Sequence, residues 1–143
     1  MTLFELNNKV QDFDIETELD KIIKDNEHVF VDANTEMLYS GIDSEGNSLG
    51  EYSPKTIDYK LKPGDHDHKI DNITLKDLGD FYSGKSIIKE NRDWTIISKD
   101  WKQEKLETDF GKAINGIDKE RTAEITDDIL TPNITKALQN AIS

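Results

Sequence analysis

His66 and His68 stand two residues apart with Asp65 and Asp67 interleaved, and this tract comes nearest of any in the chain to a metal-binding grouping. Alternate residues of a loop can reach one ion together, but zinc takes three or four protein ligands, each oriented by further hydrogen bonds. The third histidine, His28, is distant in a helical stretch. The tract therefore reads first as a solvated connection, and a metal-dependent hydrolase centred on His66 and His68 ranks third among functional readings. Asp43 to Gly50 has the residue types of a calcium loop without its spacing, since neither the alternating acidic positions nor the closing glutamate is in place. Adjacent carboxylates such as Asp127 and Asp128 could act as an acid and base. With 30 acidic residues, however, such pairs arise from composition, and solvated helix faces account for them. No phosphate-cradling glycine loop and no nucleophile in a catalytic motif is present. The expectation is no enzyme, no catalytic residue, no metal and no cofactor.

The frame around these residues is thinly hydrophobic. Of 143 residues, 34% are hydrophobic and 34% charged, which suits one domain with a modest core and a strongly hydrated surface. A net charge of −12 with no basic cluster argues against binding nucleic acid or acidic membranes, both of which need Lys and Arg gathered on one face. There is no cysteine, so disulfide frameworks and thiolate zinc sites are excluded, in keeping with a reducing cytoplasm. Neither a basic, then apolar leader nor an apolar run near the ~20 residues of a membrane helix is found.

The patterning predicts an α+β single domain over residues 1–143. Its N-terminal part, 1–40, is helical: Thr2 and Glu5 form a capping box ahead of Leu3, Leu6, Val10 and Phe13 at helical spacing. Asp14 caps a second segment with Ile15, Leu19, Ile22 and Ile23 on one face, and Phe30, Ala33, Met37 and Leu38 continue the pattern, giving two helices or three. Residues 41–73 read as loops around a short helix that starts at Ser53-Pro54 and has Ile57 and Leu61 on its apolar side; 62–72 is the place for mobility. In 74–100, Thr74 and Asp77 suggest a capping box for a helix bearing Leu75, Leu78 and Tyr82 until Gly84, followed by a β-hairpin or small antiparallel sheet, 85–91 and 94–99, turning near Asn91 to Asp93. Trp94 and Ile96 would share one side, Thr95 and Ile97 the other. A two-stranded ribbon is marginal alone, so it needs helices on it, further strands, or strands from a neighbouring subunit. Residues 101–143 form a helical arm: Leu106 and Phe110 in a helix ended by Gly111, a helix from about Asp118 to Leu130, then a last one capped by Thr131 and opened by Pro132, with Ile134, Ala137, Leu138, Ala141 and Ile142 in a stripe.

Large side chains gather in the middle of the chain. Tyr52, Phe81, Tyr82, Trp94 and Trp101 could be core or interface anchors, core being preferred for Tyr82 and Trp94 and the balance even for Trp101. The stripe Ile134, Leu138 and Ile142 belongs either to an ordinary core helix or to an intersubunit element.

Two stretches carry a resemblance. Leu38 to Tyr59 contains Gly50-Glu51-Tyr52-Ser53-Pro54-Lys55-Thr56-Ile57, and Ile73 to Tyr82 contains Leu75, Asp77, Gly79 and Phe81 in a Leu-x-Asp-x-Gly-x-Phe arrangement leading into the hairpin. Later come Leu106-Glu107 with Phe110-Gly111, and Ile129-Leu130 with Pro132. This order is similar to that in the neck and tail-completion proteins of tailed bacteriophages, above all those of Bacteroidota and crAss-like phages. It spans about residues 35–142, with Asp43, Gly46, Tyr52, Ser53, Pro54, Thr56, Leu75, Asp77, Gly79 and Phe81 matching. The resemblance implies a structural virion protein that forms a ring, a dodecamer, in the head–tail connector. There it would bridge portal and tail beside the DNA channel, after assembly in the host cytoplasm. Its partners would be itself, the portal protein and other neck or tail proteins, with DNA passing unbound. It also implies that Pro54 presets a helix start and that Gly79 lets a helix approach another backbone closely. An acidic binding module, such as a DNA mimic that blocks a host protein, is the runner-up.

Overall fold

The computed structural model describes residues 1–143 and has the α+β architecture that the patterning indicates. Three helices open the chain: α1 (Leu3–Asp12), α2 (Ile15–Asp25) and α3 (Glu27–Tyr39). Thr2 and Glu5 close the capping box on α1, and the Asp14 carboxylate accepts the Thr17 amide to start α2. The expected stripe on α1 is only half used: Leu6 and Phe13 are half-buried, whereas Leu3 and Val10 stay exposed. The reason is that α1 packs chiefly on the last helix. In contrast, α3 is the central element. Its Met37 and Leu38 are fully buried and join Leu49, Phe81 and Ile114 in the core.

The hairpin is β1 (Lys85–Glu90) and β2 (Asp93–Ser98), antiparallel, with Ile87 opposite Ile96 and Glu90 opposite Asp93. Asn91 takes the left-handed conformation (φ 58°) that a two-residue turn requires and that Asn tolerates better than most residues. Ile87 and Ile96 are buried, and α3 packs on both strands, which supplies the cover that an isolated ribbon lacks. Both outer edges are blunted by side chains. On β1 the Ile87 amide donates to Glu27 (3.1 Å), which holds that carboxyl below its usual range, and Lys24 donates to the Ile87 carbonyl (3.2 Å). On β2 the Ser98 amide donates to Gln103 (2.8 Å). These are the groups through which an extra strand would pair.

After the hairpin come α6 (Lys102–Phe110), a 3-10 turn (Lys112–Asn115), α7 (Lys119–Ile125), a π turn (Thr126–Leu130) and α8 (Thr131–Ile142). Glu107 receives hydrogen bonds from Gln103 (2.9 Å) and Asn115 (2.7 Å), which lower its pKa and lock α6 onto the 3-10 turn. The expected fresh start at Thr131 and Pro132 is not found. Thr131 has helical backbone angles (φ −62°, ψ −48°), and the helix runs on from α7 into α8. The widened turn, in which the Thr131 amide reaches the Thr126 carbonyl, makes room for Pro132, whose ring would otherwise collide with the carbonyl four residues back. Asn133 also donates its side-chain amide to the Ile129 carbonyl (2.7 Å) one turn back. α7 packs on α3, and α8 packs on α1 and α2.

Candidate functional site

A cleft of about 510 Å³ lies between α4 (Pro54–Leu61), the loop that follows it, and α6. Its construction begins at Ser53, whose hydroxyl accepts the Thr56 amide (3.3 Å) while Pro54 occupies the first turn. The helix then turns an unexpected face inward. Leu61 is 61% exposed, and Lys60 is buried at 4%. A buried ammonium must be paired and hydrogen-bonded to persist. Lys60 Nζ lies 3.4 Å from Asp67 Oδ2 and within 3.4 Å of the Asp67 and Lys76 carbonyl oxygens, and it sits over the Tyr52 ring at 4.6 Å.

Residues 62–72, expected to be a solvated connection, are instead folded back around that lysine. Buried His66 stacks on Tyr59 with ring centroids 4.3 Å apart. His66 Nε2 and His68 Nδ1 both point at the Lys60 carbonyl (3.3 and 2.5 Å), and His68 Nε2 faces the Gly64 carbonyl (3.1 Å). Carbonyl oxygens only accept, so a neutral His68 can donate to one of its two carbonyls at a time, and whichever nitrogen donates has no free lone pair for a metal. Asp67 also accepts from the Tyr39 hydroxyl (3.0 Å). Similarly, the Asp43 loop spends its carboxylate on the Glu45 and Asn47 amides (2.9 and 3.0 Å), which shapes the turn.

Thr74 and Asp77 do not open a helix. The chain from 73 to 79 is irregular, and helix α5 is the single turn Asp80–Ser83. Thr74 is fully buried and bonded at every polar atom. Its amide donates to the Tyr52 hydroxyl oxygen (2.9 Å), its own hydroxyl meets Tyr52 (3.2 Å) and accepts the Lys76 amide (3.2 Å), and Tyr82 donates to its carbonyl. This clamp forces Leu75 into the left-handed region (φ 59°), which costs a leucine on the order of 1 kcal/mol. In return the Leu75 side chain packs against the core at the cleft floor. Leu78, expected on the helix's apolar face, is exposed. Gly79 precedes α5 at φ 95°, and a Cβ there would meet only the end of Lys76 at 4.0 Å. Its glycine answers a backbone angle, which corrects the expectation of a close helix approach.

The fold thus brings Tyr52, Gly79 and Phe81 to one cleft, places Pro54 at its rim, and sets Tyr82 behind it. Burial raises the Tyr82 hydroxyl pKa well above its usual range. Other expected residues lie elsewhere. Half-buried Trp94 donates to Asp20 (3.3 Å) and, beside Lys89, fastens the hairpin tip to α2. Trp101 is 77% exposed. Ile134 and Ile142 are half-buried and Leu138 is exposed, on a helix with no buried residue. Lys60, at the hub of the site, gave no signal, because a lysine on the inner face of an amphipathic helix contradicts the hydropathy pattern, while Asp67 and Thr74 stood out only as members of a metal-like tract and a capping box. Lys85 is a further surprise. It donates to Thr35 (3.1 Å) over the Tyr82 ring (4.1 Å) without an acidic partner, and burial drops its pKa to about 7.

No group of three or more His, Cys, Asp or Glu is gathered where it could hold a metal ion, and no helix is long and apolar enough to cross a membrane. No family model, curated protein or solved structure matches the chain.

Proposed function

We propose that the protein is a structural virion subunit that forms a ring in the head–tail connector of a tailed phage, bridging portal and tail around the DNA channel. One observation carries this reading: the reactive side chains around buried Lys60, behind the cleft, are spent on holding the backbone, while large apolar side chains stand uncovered at the surface. Lys60, Asp67, His66, His68 and Thr74 are all engaged with each other or with main-chain groups. Leu3, Phe4, Leu61, Leu78 and Trp101 are more than half exposed, and uncovered apolar surface on an otherwise charged protein marks contact with other proteins. The residues that carry the resemblance fit the same picture. Asp43 shapes a loop, Ser53 and Pro54 start a helix, and Tyr52 and Phe81 line the cleft. An acidic surface also suits a channel through which DNA passes without adhering.

The test is assembly. The purified chain, mixed with portal protein and the remaining neck and tail components, should appear as a ring of identical subunits by electron microscopy and as a high-mass species by sedimentation. A chain that stays monomeric in that mixture, and instead binds a basic host protein one to one, would overturn the reading in favour of a DNA mimic.

A further inference from the structure

The uncovered apolar residues are not scattered. Met1, Leu3 and Phe4 are 66%, 85% and 74% exposed within four consecutive positions, and α1 beyond them leaves Val10 open as well. This knob has no pocket of its own to fill. α1 packs on α8, which is not part of the cleft, and no α1 residue lines the cleft. At the cleft, Tyr52, Leu75, Phe81, Leu106 and Phe110 form an apolar hollow open to solvent.

Charge selects what can meet there. Two copies of a chain with a net charge of −12 repel one another over most of their surfaces. The knob and the cleft are exceptions. Residues 1–11 carry one acid, Glu5, against one base, Lys9. The cleft rim sets Lys76, Lys102 and Lys105 against Glu51, Asp77 and Asp109, and Lys60 beneath is neutralised by Asp67. These two neutral apolar surfaces on an acidic molecule are complementary in character and different in shape. Such a pair makes a head-to-tail contact that propagates from copy to copy and closes into a ring if the rotation permits. Strand exchange, the other simple route to self-association, is obstructed by Glu27 and Gln103 on the two hairpin edges.

We infer that the N-terminal knob of one copy, Leu3 and Phe4, inserts into the cleft between α4 and α6 of a second copy. The partner comes from the ring reading above, on which this inference rests; the contact itself is read from the two surfaces. The full chain carrying benzoylphenylalanine at position 4 is the direct probe. On irradiation it should cross-link to residues 52–56 or 106–110 of another copy. Cross-links confined to its own chain or to other surfaces would overturn the contact.

A mixing experiment separates this inference from the ring reading. Phe4→Glu spoils the knob and leaves the cleft; Leu106→Glu spoils the cleft and leaves the knob. Each alone should self-associate roughly 30-fold or more weakly than the parent chain, as expected for loss of an interface anchor. Together they should form a one-to-one dimer that cannot grow, with circular dichroism confirming that both variants are folded. If both variants still assemble like the parent, the ring stands and the proposed contact falls. If the parent chain forms no intermolecular adduct and no ring even with portal protein, both fall.

Discussion

The lobe around the cleft and the lobe formed by α1, α2 and α8 are built on opposite terms. In the first, Met37, Leu38, Phe81 and Ile114 are nearly or wholly buried, and a lysine, an aspartate and a threonine are buried with them. In the second, Ile22 is the one buried residue, while α1 and α8 bury none. The lesson is that local pattern and tertiary burial are separate matters. α8 has a clear amphipathic stripe, yet it buries no residue. α4 breaks the pattern at Lys60 and is anchored by it. A helix at the periphery, such as α1 or α8, keeps part of its apolar face open for whatever else arrives.

The comparison fails first at Asp67. Asp67→Ala would strand the buried Lys60 ammonium and should cost about 3–5 kcal/mol in urea unfolding. Removing both charges together, as Lys60→Met with Asp67→Leu, should cost markedly less, since no uncompensated charge stays inside. A loss below about 1 kcal/mol for the single change would mean that the pair is not a keystone. Next, Met37→Ala should lose roughly 2–5 kcal/mol as a core cavity opens. Ile134→Ala, the same kind of truncation on half-buried α8, should lose no more than about 1 kcal/mol, so parallel denaturation curves measure the contrast between the lobes.

Lys85 sharpens the picture through pH. Its pKa falls from 10.5 to about 7 on folding. Below pH 7 both states carry the proton, and the native state bears the full cost of a partly buried charge. Between about pH 7 and 10.5 the unfolded chain holds a proton that the native state has shed, so stability attributable to this group rises with pH. Lys85→Met should therefore stabilise the protein by on the order of 2 kcal/mol at pH 6, after allowance for the part of the side chain that stays wet, and the gain should vanish near pH 10.5. A gain independent of pH would show that packing, not charge, is responsible. The smallest effect is expected at the knob. Leu3→Ser should change monomer stability by less than about 0.5 kcal/mol, because little of that side chain is buried on folding.

Much of the fold was legible in residues with strong local chemistry. The Thr2 and Glu5 box, the Asp14 cap, the Ser53-Pro54 start and the Asn91 turn each act over three or four residues, and each stands where its chemistry indicates. The failures share a cause as well. Thr74 and Asp77 have the spacing of a cap, but Thr74 spends its bonds on Tyr52 and Tyr82, partners 22 and 8 residues away. Residues 62–72 are polar because they wrap a buried lysine, and hydropathy cannot distinguish that from solvation. Of the candidate site, Tyr52 and Phe81 could be named from their type, whereas Lys60 and Asp67 depend on a fold-back that only tertiary contacts define. Pro132 was legible as a break but not as a tolerated one, since the wider turn ahead of it is set by packing on both sides.

That wider turn works as a gear between two faces. Each residue of an α-helix advances the side-chain direction by about 100°, so one surplus residue in a turn offsets everything downstream by that angle. The offset is what lets one continuous rod meet α3 before the turn and α1 with α2 after it. Deleting Asp127 would cancel the offset and return Pro132 to a regular turn, where its ring meets the carbonyl four residues back, so Ile134 and Ile142 would lose their present direction and α1 the helix it packs on.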